Sequence, residues 1–200
     1  MTEKSRKKIL VLWSGGLDST YLVYMLLQQG HTVCASYVEL QNNDSKVRAE
    51  RRAIESLLKE FKKYPYFKYV GTAATIEING GGKRLQFKQT LLWLLAAAYK
   101  IDSTYDEVTL GYVMNDDMIS YLEDIRNIWN SFSALSYDGL PKLSFYLTKE
   151  KKSDVYNLLP EKFRRHVVWC ELPHKVQDRF ISCGKCIPCK RMTTLLKERK

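Results

Sequence analysis

Residues 12–27 read LWSGGLDSTYLVYMLL, and this stretch joins an apolar run to a helical pattern through a loop rich in glycine and hydroxyl side chains. The run that enters the loop, KKILVLW, is short, apolar and β-branched, which predicts a buried strand. The run that leaves it, STYLVYMLLQQG, predicts a helix that ends at Gly30. The stretch therefore predicts a strand–loop–helix unit whose loop spans residues 14–20.

The rest of the chain continues this alternation. HTVCASYVEL, FKYVGT, DEVTLGYV and PKLSFYL predict strands, and residues 45–63, 85–101 and 116–135 predict helices. The first of these helices is amphipathic and is expected at the surface, whereas the second is apolar on most sides and is expected to pack deep against the sheet. Such alternation predicts an α/β fold with a mostly parallel sheet and helices on both faces. We expect a single domain over residues 1–200, with residues 166–192 as an extension of it.

The charge balance indicates the kind of partner. Lysine and arginine outnumber the acidic residues by 32 to 22, for a net charge of +10, which favours nucleotides, phosphates or nucleic acid. A solvated basic surface is the alternative interpretation. No apolar run reaches the roughly 18 residues of a membrane span, and no opening stretch resembles a secretory signal. We therefore expect a cytoplasmic protein without membrane association.

The loop after the first strand has the composition of a phosphate-binding site. Gly15 and Gly16 let the backbone approach an anion closely, and the helix that begins near Asp18 or Ser19 adds its positive end. Further hydrogen bonds are available from Ser14, Ser19 and Thr20. An ordinary turn in which Asp18 or Ser19 caps the helix is the alternative. Neither G-x-x-x-x-G-K-[ST] nor G-x-G-x-x-G occurs in the chain.

Four cysteines near the C-terminal end have the spacing C-x12-C-x2-C-x2-C; they are Cys170, Cys183, Cys186 and Cys189. Overlapping C-x-x-C units let three thiolates converge on one ion, and Cys170 completes a tetrahedron, which predicts a closed structural zinc site. A redox pair or sulfur carrier, an iron–sulfur cluster, and replacement of Cys170 by His174 are the alternatives. Cys34 is interpreted as a small buried hydrophobic residue.

SGGLDST resembles the PP-loop of the ATP pyrophosphatases, which have an adenine nucleotide alpha hydrolase-like fold. These enzymes cleave ATP between the α and β phosphates and adenylate an oxygen atom, and a nucleophile then displaces AMP. The resemblance implies that the loop and its neighbours bind ATP with Mg²⁺, through Trp13, Ser14, Gly15, Gly16, Leu17, Asp18, Ser19 and Thr20. For Trp13, packing beneath the strand is the alternative.

Together with CGKCIPCKR, the loop resembles the 7-cyano-7-deazaguanine synthases of queuosine-precursor biosynthesis. The resemblance implies a homodimer with a four-cysteine zinc site. It also implies an ATP-dependent ligase that converts 7-carboxy-7-deazaguanine with ammonia to the amide or nitrile, releasing AMP and pyrophosphate or ADP-type products. KKSDVYNLLP matches a family helix start that puts Lys152 near the phosphates, and LGYVMNDD makes Asp116 and Asp117 substrate-loop candidates. The predicted catalytic set is Asp18, Lys152 and Asp116, with an ordinary solvated lysine as the alternative for Lys152.

Two segments depart from that family. SYVELQNND replaces its Tyr-Gly-Gln-x-His run, and GGGKRLQFKQ replaces an Arg-Asn pair, for which Arg84 supplies at most a part. Because these segments help to shape the acceptor pocket, transfer of the activated deazaguanine to a protein or nucleic-acid amine stays open. A tRNA-modifying PP-loop enzyme with a catalytic cysteine and a nucleic-acid-binding module with a decayed ATP loop are further alternatives. NGGGKR, residues 79–84, is interpreted as a flexible loop, with a phosphate-closing lid as the alternative.

Overall fold

The structure, a computed structural model, describes residues 5–78 and 88–197. Five parallel strands form the main sheet in the order β3-β2-β1-β4-β5. They are β1 (Lys8–Leu12), β2 (Thr32–Gln41), β3 (Phe67–Glu77), β4 (Glu107–Thr109) and β5 (Lys142–Ser144). The chain builds one side of the sheet as far as β3 and then crosses to β4, so the order reverses beside β1. In open α/β sheets, ligands bind outside the carboxyl ends of the strands at such a reversal.

Helices cover both faces of this sheet. They are α1 (Leu17–Gln28), α2 (Asp44–Phe61), α3 (Thr90–Lys100), α4 (Leu122–Leu135), α5 (Lys152–Leu158), α6 (Glu161–Arg164) and α7 (Ile187–Lys197). Helices α1, α2, α5, α6 and α7 contribute to one buried core, and α3 and α4 contribute to the other. The predicted parallel α/β architecture is confirmed. Among the described residues, no helix is long and apolar enough to cross a membrane.

The opening unit forms because both sides of β1 are apolar. Ile9 and Val11 enter the core beneath α1, whereas Leu10 and Leu12 enter the opposite core. A strand covered on both faces has no polar side, which explains its continuous apolar sequence. Helix α1 ends two residues before Gly30, whose positive φ of 82° terminates it as the sequence predicts.

Five predicted elements differ from the structure, among them β3, which has eleven residues instead of six, and β5, which has three instead of seven. Helix α3 begins at Thr90, and the expected deep packing is wrong for part of its surface, because Leu95 and Tyr99 are 54% and 82% exposed. Only one side of this apolar helix meets the sheet. Strand β4 has three residues instead of eight. The helix expected over residues 116–135 begins as a 3₁₀ turn, Ile119–Tyr121, because the preceding Asn115 adopts a left-handed conformation with φ of 66°.

The C-terminal part contains elements that sequence patterns did not predict. Strands β6 (His174–Val176) and β7 (Arg179–Ile181) form an antiparallel hairpin between the first and second of the clustered cysteines. Helix α7 follows and inserts Met192 and Leu195 into the core that α1 shares. This part of the chain therefore packs on the same face of the sheet as α1.

Candidate functional site

The two glycines of the loop lie where a side chain would be crowded by its neighbours. Gly15 has a φ of +73°, and a Cβ atom there would lie 3.2 Å from side-chain atoms of both Ala53 and Ile54 on α2. A Cβ atom on Gly16 would lie 3.1 Å from Ser14 Oγ. Glycine therefore lets the loop fold tightly between β1 and α2. This geometry fits the predicted phosphate cradle, since a larger residue would push the backbone N–H groups outward.

A third glycine, which the sequence analysis did not select, brings β4 to the same loop. A Cβ atom on Gly111 would lie 2.8 Å from Ser19 N and 2.9 Å from Asp18 C. The chain leaving β4 therefore packs directly on the first turn of α1. This contact places the predicted substrate loop beside the predicted phosphate loop, and the only sequence signal for it was a glycine at the end of a strand.

The side chains of the loop divide between its polar surface and the core. Ser14 Oγ accepts a hydrogen bond from Gly16 N at 3.3 Å and lies 3.4 Å from Ser19 Oγ. Thr20 is buried, and its Oγ1 accepts a hydrogen bond from Trp13 Nε1 at 3.0 Å. The ring of Trp13 is 1% exposed and packs edge-on against Phe61, Phe67 and Tyr69.

Trp13 therefore has the packing role that was the alternative for it, and the side chain of Leu17 is buried in the same core. Outside the Trp13–Thr20 pair, the polar side-chain groups of the loop are the hydroxyls of Ser14 and Ser19 and the carboxylate of Asp18.

Asp18 forms an ion pair with Lys152 inside the site. Lys152 Nζ donates to Asp18 Oδ2 at 2.5 Å, whereas the buried Oδ1 has no hydrogen-bond partner among the described residues. Burial raises the pKa of Asp18 above its ordinary value, and the positive charges of Lys152 and, more weakly, Arg191 oppose that rise. The first residue of α5 thus reaches the first turn of α1, and its predicted place near the phosphates stays a prediction.

Asp116 and Asp117 follow β4, and the charge of Asp18 also acts on Asp116. Burial and a hydrogen bond with Asp117 raise the pKa of Asp116 to about 6. Asp117 accepts a hydrogen bond from Lys88 Nζ at 2.7 Å, which lowers its pKa, and the charge of Arg191 acts in the same direction. We call the full set the carboxyl-edge cluster: Asp18, Lys88, Asp116, Asp117, Lys152 and Arg191. The cluster thus contains three acidic and three basic side chains, linked by ion pairs and by the effects of their charges.

The four predicted metal ligands come together. Their sulfur atoms, from Cys170, Cys183, Cys186 and Cys189, all lie within 4.8 Å of one another. A zinc–sulfur bond of about 2.3 Å corresponds to tetrahedral sulfur separations of about 3.8 Å, so a small contraction accommodates the ion.

Backbone N–H groups support the same site. Lys185 N and Cys186 N each donate to Cys183 Sγ at 3.4 Å, and they lower the pKa of that thiol to about 6. Four soft donors in a closed shell fit zinc in a structural role, and they also fit iron–sulfur ligation. His174 lies exposed on β6 and is not needed to complete the set.

Two predictions from the sequence remain, for Cys34 and for residues 79–84. Cys34 is 2% exposed, and burial raises the pKa of its thiol, as expected for a buried small residue. Residues 79–84, including Arg84, lie outside the described residues. The proposed lid and the proposed replacement of the family's arginine therefore stay predictions.

The cysteine site is attached to the phosphate loop. Val168 N donates to Gly15 O at 3.1 Å, and Gly16 and Val168 form a parallel bridge. Cys170 follows two residues later, and Arg191 lies two residues beyond Cys189. Sequence patterns predicted both sites but not their contact, because the residues that join them are separated by about 150 positions.

The fold, the glycine loop and the parallel sheet define a PP-loop nucleotide-binding protein. The family model for the thiamine biosynthesis protein ThiI matches residues 4–109, and the chain belongs to that family. Members of this class use ATP.

Two curated relatives and one solved structure show how far the similarity extends. The tRNA-specific 2-thiouridylase MnmA of Helicobacter pylori (strain G27) is 26% identical over 168 residues, which cover 74% of this chain and 48% of the relative. The 7-cyano-7-deazaguanine synthase of Sulfolobus acidocaldarius is 33% identical over 88 residues, which cover 40% of this chain and 18% of the relative.

A 4-thiouridine synthetase solved with RNA and bound ATP superposes with a TM-score of 0.53 and 13% identity, covering 96% of this chain and 50% of that one. This likeness supports the fold alone. The chain spans about half the length of the MnmA relatives that it matches.

Proposed function

We propose that the protein adenylates 7-carboxy-7-deazaguanine with ATP and that ammonia then displaces AMP. A substrate carboxylate oxygen attacks the α phosphorus, and the bond to the β phosphate breaks as pyrophosphate leaves. Ammonia attacks the activated carbon, AMP leaves, and the product is the amide. Activation of the amide oxygen by a second ATP, followed by loss of AMP and protons, yields the nitrile.

The observation that carries this proposal is the convergence of the four C-terminal cysteines within 4.8 Å. Sulfur transfer to tRNA needs an accessible thiolate that is free to carry sulfur. The only cysteine outside the convergent set is Cys34, which is buried and has a raised pKa. A metal-bound set of four leaves no cysteine suited to sulfur transfer, which favours a nitrogen nucleophile.

The carboxyl-edge cluster supplies groups for this chemistry. Backbone N–H groups of the loop bind the pyrophosphate end, and Lys152 adds positive charge close to it. Asp116, with its pKa raised to about 6, suits acceptance of a proton from the attacking nitrogen near neutral pH. Asp18 Oδ1 is a buried oxygen without a partner among the described residues. Such an oxygen fits Mg²⁺, which would neutralise phosphate charge there.

The first test supplies purified, zinc-loaded protein with Mg²⁺, ATP, ammonium and 7-carboxy-7-deazaguanine. Formation of AMP and of any new deazapurine is followed by mass spectrometry. We expect acid-dependent AMP with an amide or nitrile product, loss of both in Lys152→Met, and wild-type behaviour in the control Cys34→Ala. ATP binding without acid-dependent AMP would exclude this substrate.

A tRNA-modifying activity is the second candidate, and the MnmA relatives and the net charge of +10 favour it. It predicts tight, salt-sensitive tRNA binding and a catalytic cysteine. Each clustered cysteine is replaced by serine, and zinc content and folding are measured beside activity. A variant that keeps its zinc and fold but loses activity would support sulfur transfer over our proposal.

Transfer of the activated deazaguanine to a protein or nucleic-acid amine is a variant of the main proposal. It predicts AMP without a new small molecule and a mass increase on the acceptor. The proposal also includes a homodimer built from one domain per chain, with residues 166–192 as its zinc-binding extension. Light scattering of the zinc-loaded protein tests the dimer.

A further inference from the structure

Arg191 is the member of the carboxyl-edge cluster that no motif singled out. It lies on α7, directly after the clustered cysteines, and its side chain is exposed. Its charge nevertheless acts on both Asp18 in the first turn of α1 and Asp117 in the loop after β4. Arg191 therefore lies within electrostatic range of both the phosphate loop and the substrate loop.

The pairing of charges in the cluster makes Arg191 the available cation. Lys152 is paired with Asp18 at 2.5 Å, and Lys88 is paired with Asp117 at 2.7 Å. Within residues 5–78 and 88–197, Arg191 makes no hydrogen bond and no ion pair of its own. An anionic ligand that enters the site can thus bind its guanidinium without first breaking a salt bridge.

The position of Arg191 is set from two sides. Cys189, two residues before it, is buried in the metal site, and Met192, the next residue, is buried in the core under α1. Residues on either side of Arg191 are therefore anchored, which fixes the rotation of α7. The hydrogen bond from Val168 N to Gly15 O also attaches the cysteine region to the phosphate loop. The metal site thus helps to hold Arg191 near the phosphate loop.

We propose that Arg191 binds the phosphate chain of ATP and that the four-cysteine site serves to position it there. This inference rests on the ATP-using part of the proposed function and not on the identity of the acid. A guanidinium presents a planar fork of donors that matches two phosphate oxygens at once. Negative charge grows on pyrophosphate as it leaves, so the same contact also stabilises the departing group.

The test measures Mg²⁺–ATP affinity by isothermal titration calorimetry in zinc-loaded wild-type protein and in three variants. Arg191→Met removes the charge but keeps an unbranched stem, and Arg191→Lys keeps the charge without the fork. Lys190→Met is the matched control, because Lys190 is the exposed neighbour on the same helix. Zinc content and melting temperature are measured for each.

We expect Arg191→Met to weaken ATP binding on the order of 10- to 100-fold, as for loss of a charge-assisted hydrogen bond. Arg191→Lys should recover part of that loss, and Lys190→Met should stay close to wild type. An Arg191→Met protein that binds ATP like the wild type overturns the inference, and so does an equal loss in Lys190→Met, which would indicate a general charge effect.

The same experiments distinguish loss of the Arg191 contact from misfolding of the variant and from an incorrect choice of substrate. If Arg191→Met loses zinc or melts at a lower temperature, Arg191→Lys provides the comparison. An Arg191→Lys protein with normal zinc content and melting temperature but weaker ATP binding supports a guanidinium contact. An Arg191→Lys protein with wild-type affinity for ATP overturns the requirement for the planar fork of donors. ATP binding without acid-dependent AMP removes only the proposed substrate. Wild-type protein that binds no ATP overturns this inference as well.

Discussion

Removal of Lys152 should destabilise the protein by leaving a buried carboxylate without its partner. Lys152 Nζ lies 2.5 Å from Asp18 Oδ2, and Asp18 Oδ1 already lacks a hydrogen-bond partner among the described residues. In Lys152→Met, neither oxygen of Asp18 would have a cationic partner within hydrogen-bonding distance. We expect the free energy of unfolding to fall by about 2 kcal/mol at pH 7.

That magnitude follows from the burial of the pair. Loss of one partner from a fully buried ion pair costs about 3–5 kcal/mol, whereas exposed pairs contribute about 0–1 kcal/mol. The side chains of Lys152 and Asp18 are 28% and 17% exposed, so the pair lies between these limits and nearer the buried one. Solvent screening reduces the expected cost to about 2 kcal/mol.

The sign of the pH dependence gives a second check. Burial raises the pKa of Asp18 above the ordinary 3.8, and Lys152 opposes the rise, so the pKa rises further when Lys152 is removed. A carboxyl whose folded pKa exceeds its unfolded pKa destabilises the protein as pH rises through the folded value. The difference in unfolding free energy between Lys152→Met and the wild type should therefore have its full size at pH 7 and should shrink as the pH falls toward 4.

Urea unfolding at pH 7 and pH 5 measures the effect, with Lys151→Met as the control because Lys151 is the exposed neighbour. The variant Asp18→Asn/Lys152→Met removes both charges and should recover part of the lost stability. A double variant no more stable than Lys152→Met, or a Lys152→Met protein as stable as the wild type, would refute the reasoning.

Three further changes test other parts of the structure. Gly111→Ala should lower stability by about 1–3 kcal/mol and weaken ATP binding, since its Cβ would lie 2.8 Å from Ser19 N; calorimetry and thermal melting check both. Arg51→Met should lower the free energy of unfolding by about 2 kcal/mol, because it removes two hydrogen bonds, of 2.6 and 2.8 Å, that Arg51 donates to the buried carboxylate of Glu39. In the wild type, Arg51 and Gln41 together outweigh the effect of burial and lower the pKa of Glu39. That Glu39-dependent loss should be seen above pH 4.5 in urea unfolding and diminish as the pH falls further. Chelation of the metal should expose residues 166–192 to protease and reduce ATP binding, whereas a chain that keeps both properties without metal would contradict the coupling of the two sites.

Local patterns predicted the elements that build the sheet. Apolar runs of about seven residues mark β1 and its neighbours because both faces of the sheet are covered, and the spacing of apolar residues marks α1 and α2. The same patterns misplaced parts of α3 and β4, since neither exposure nor strand length is encoded in a short apolar run. The prediction of an α-helix over residues 116–121 was wrong, because no local sequence pattern indicates the left-handed conformation of Asn115.

By itself, the sequence determined the two chemical groups of the site: a glycine loop at the end of a buried strand and four cysteines with metal-ligand spacing. Both depend on residues close together in the chain, so their spacing carries the information. Only the tertiary structure decided that Gly111 supports the loop, that Val168 joins it to the cysteine region, and that Arg191 comes within electrostatic range of Asp18. These contacts join residues about 90 to 170 positions apart, and they exist because the sheet brings the carboxyl ends of β1 and β4 together while α7 packs into the core beneath α1.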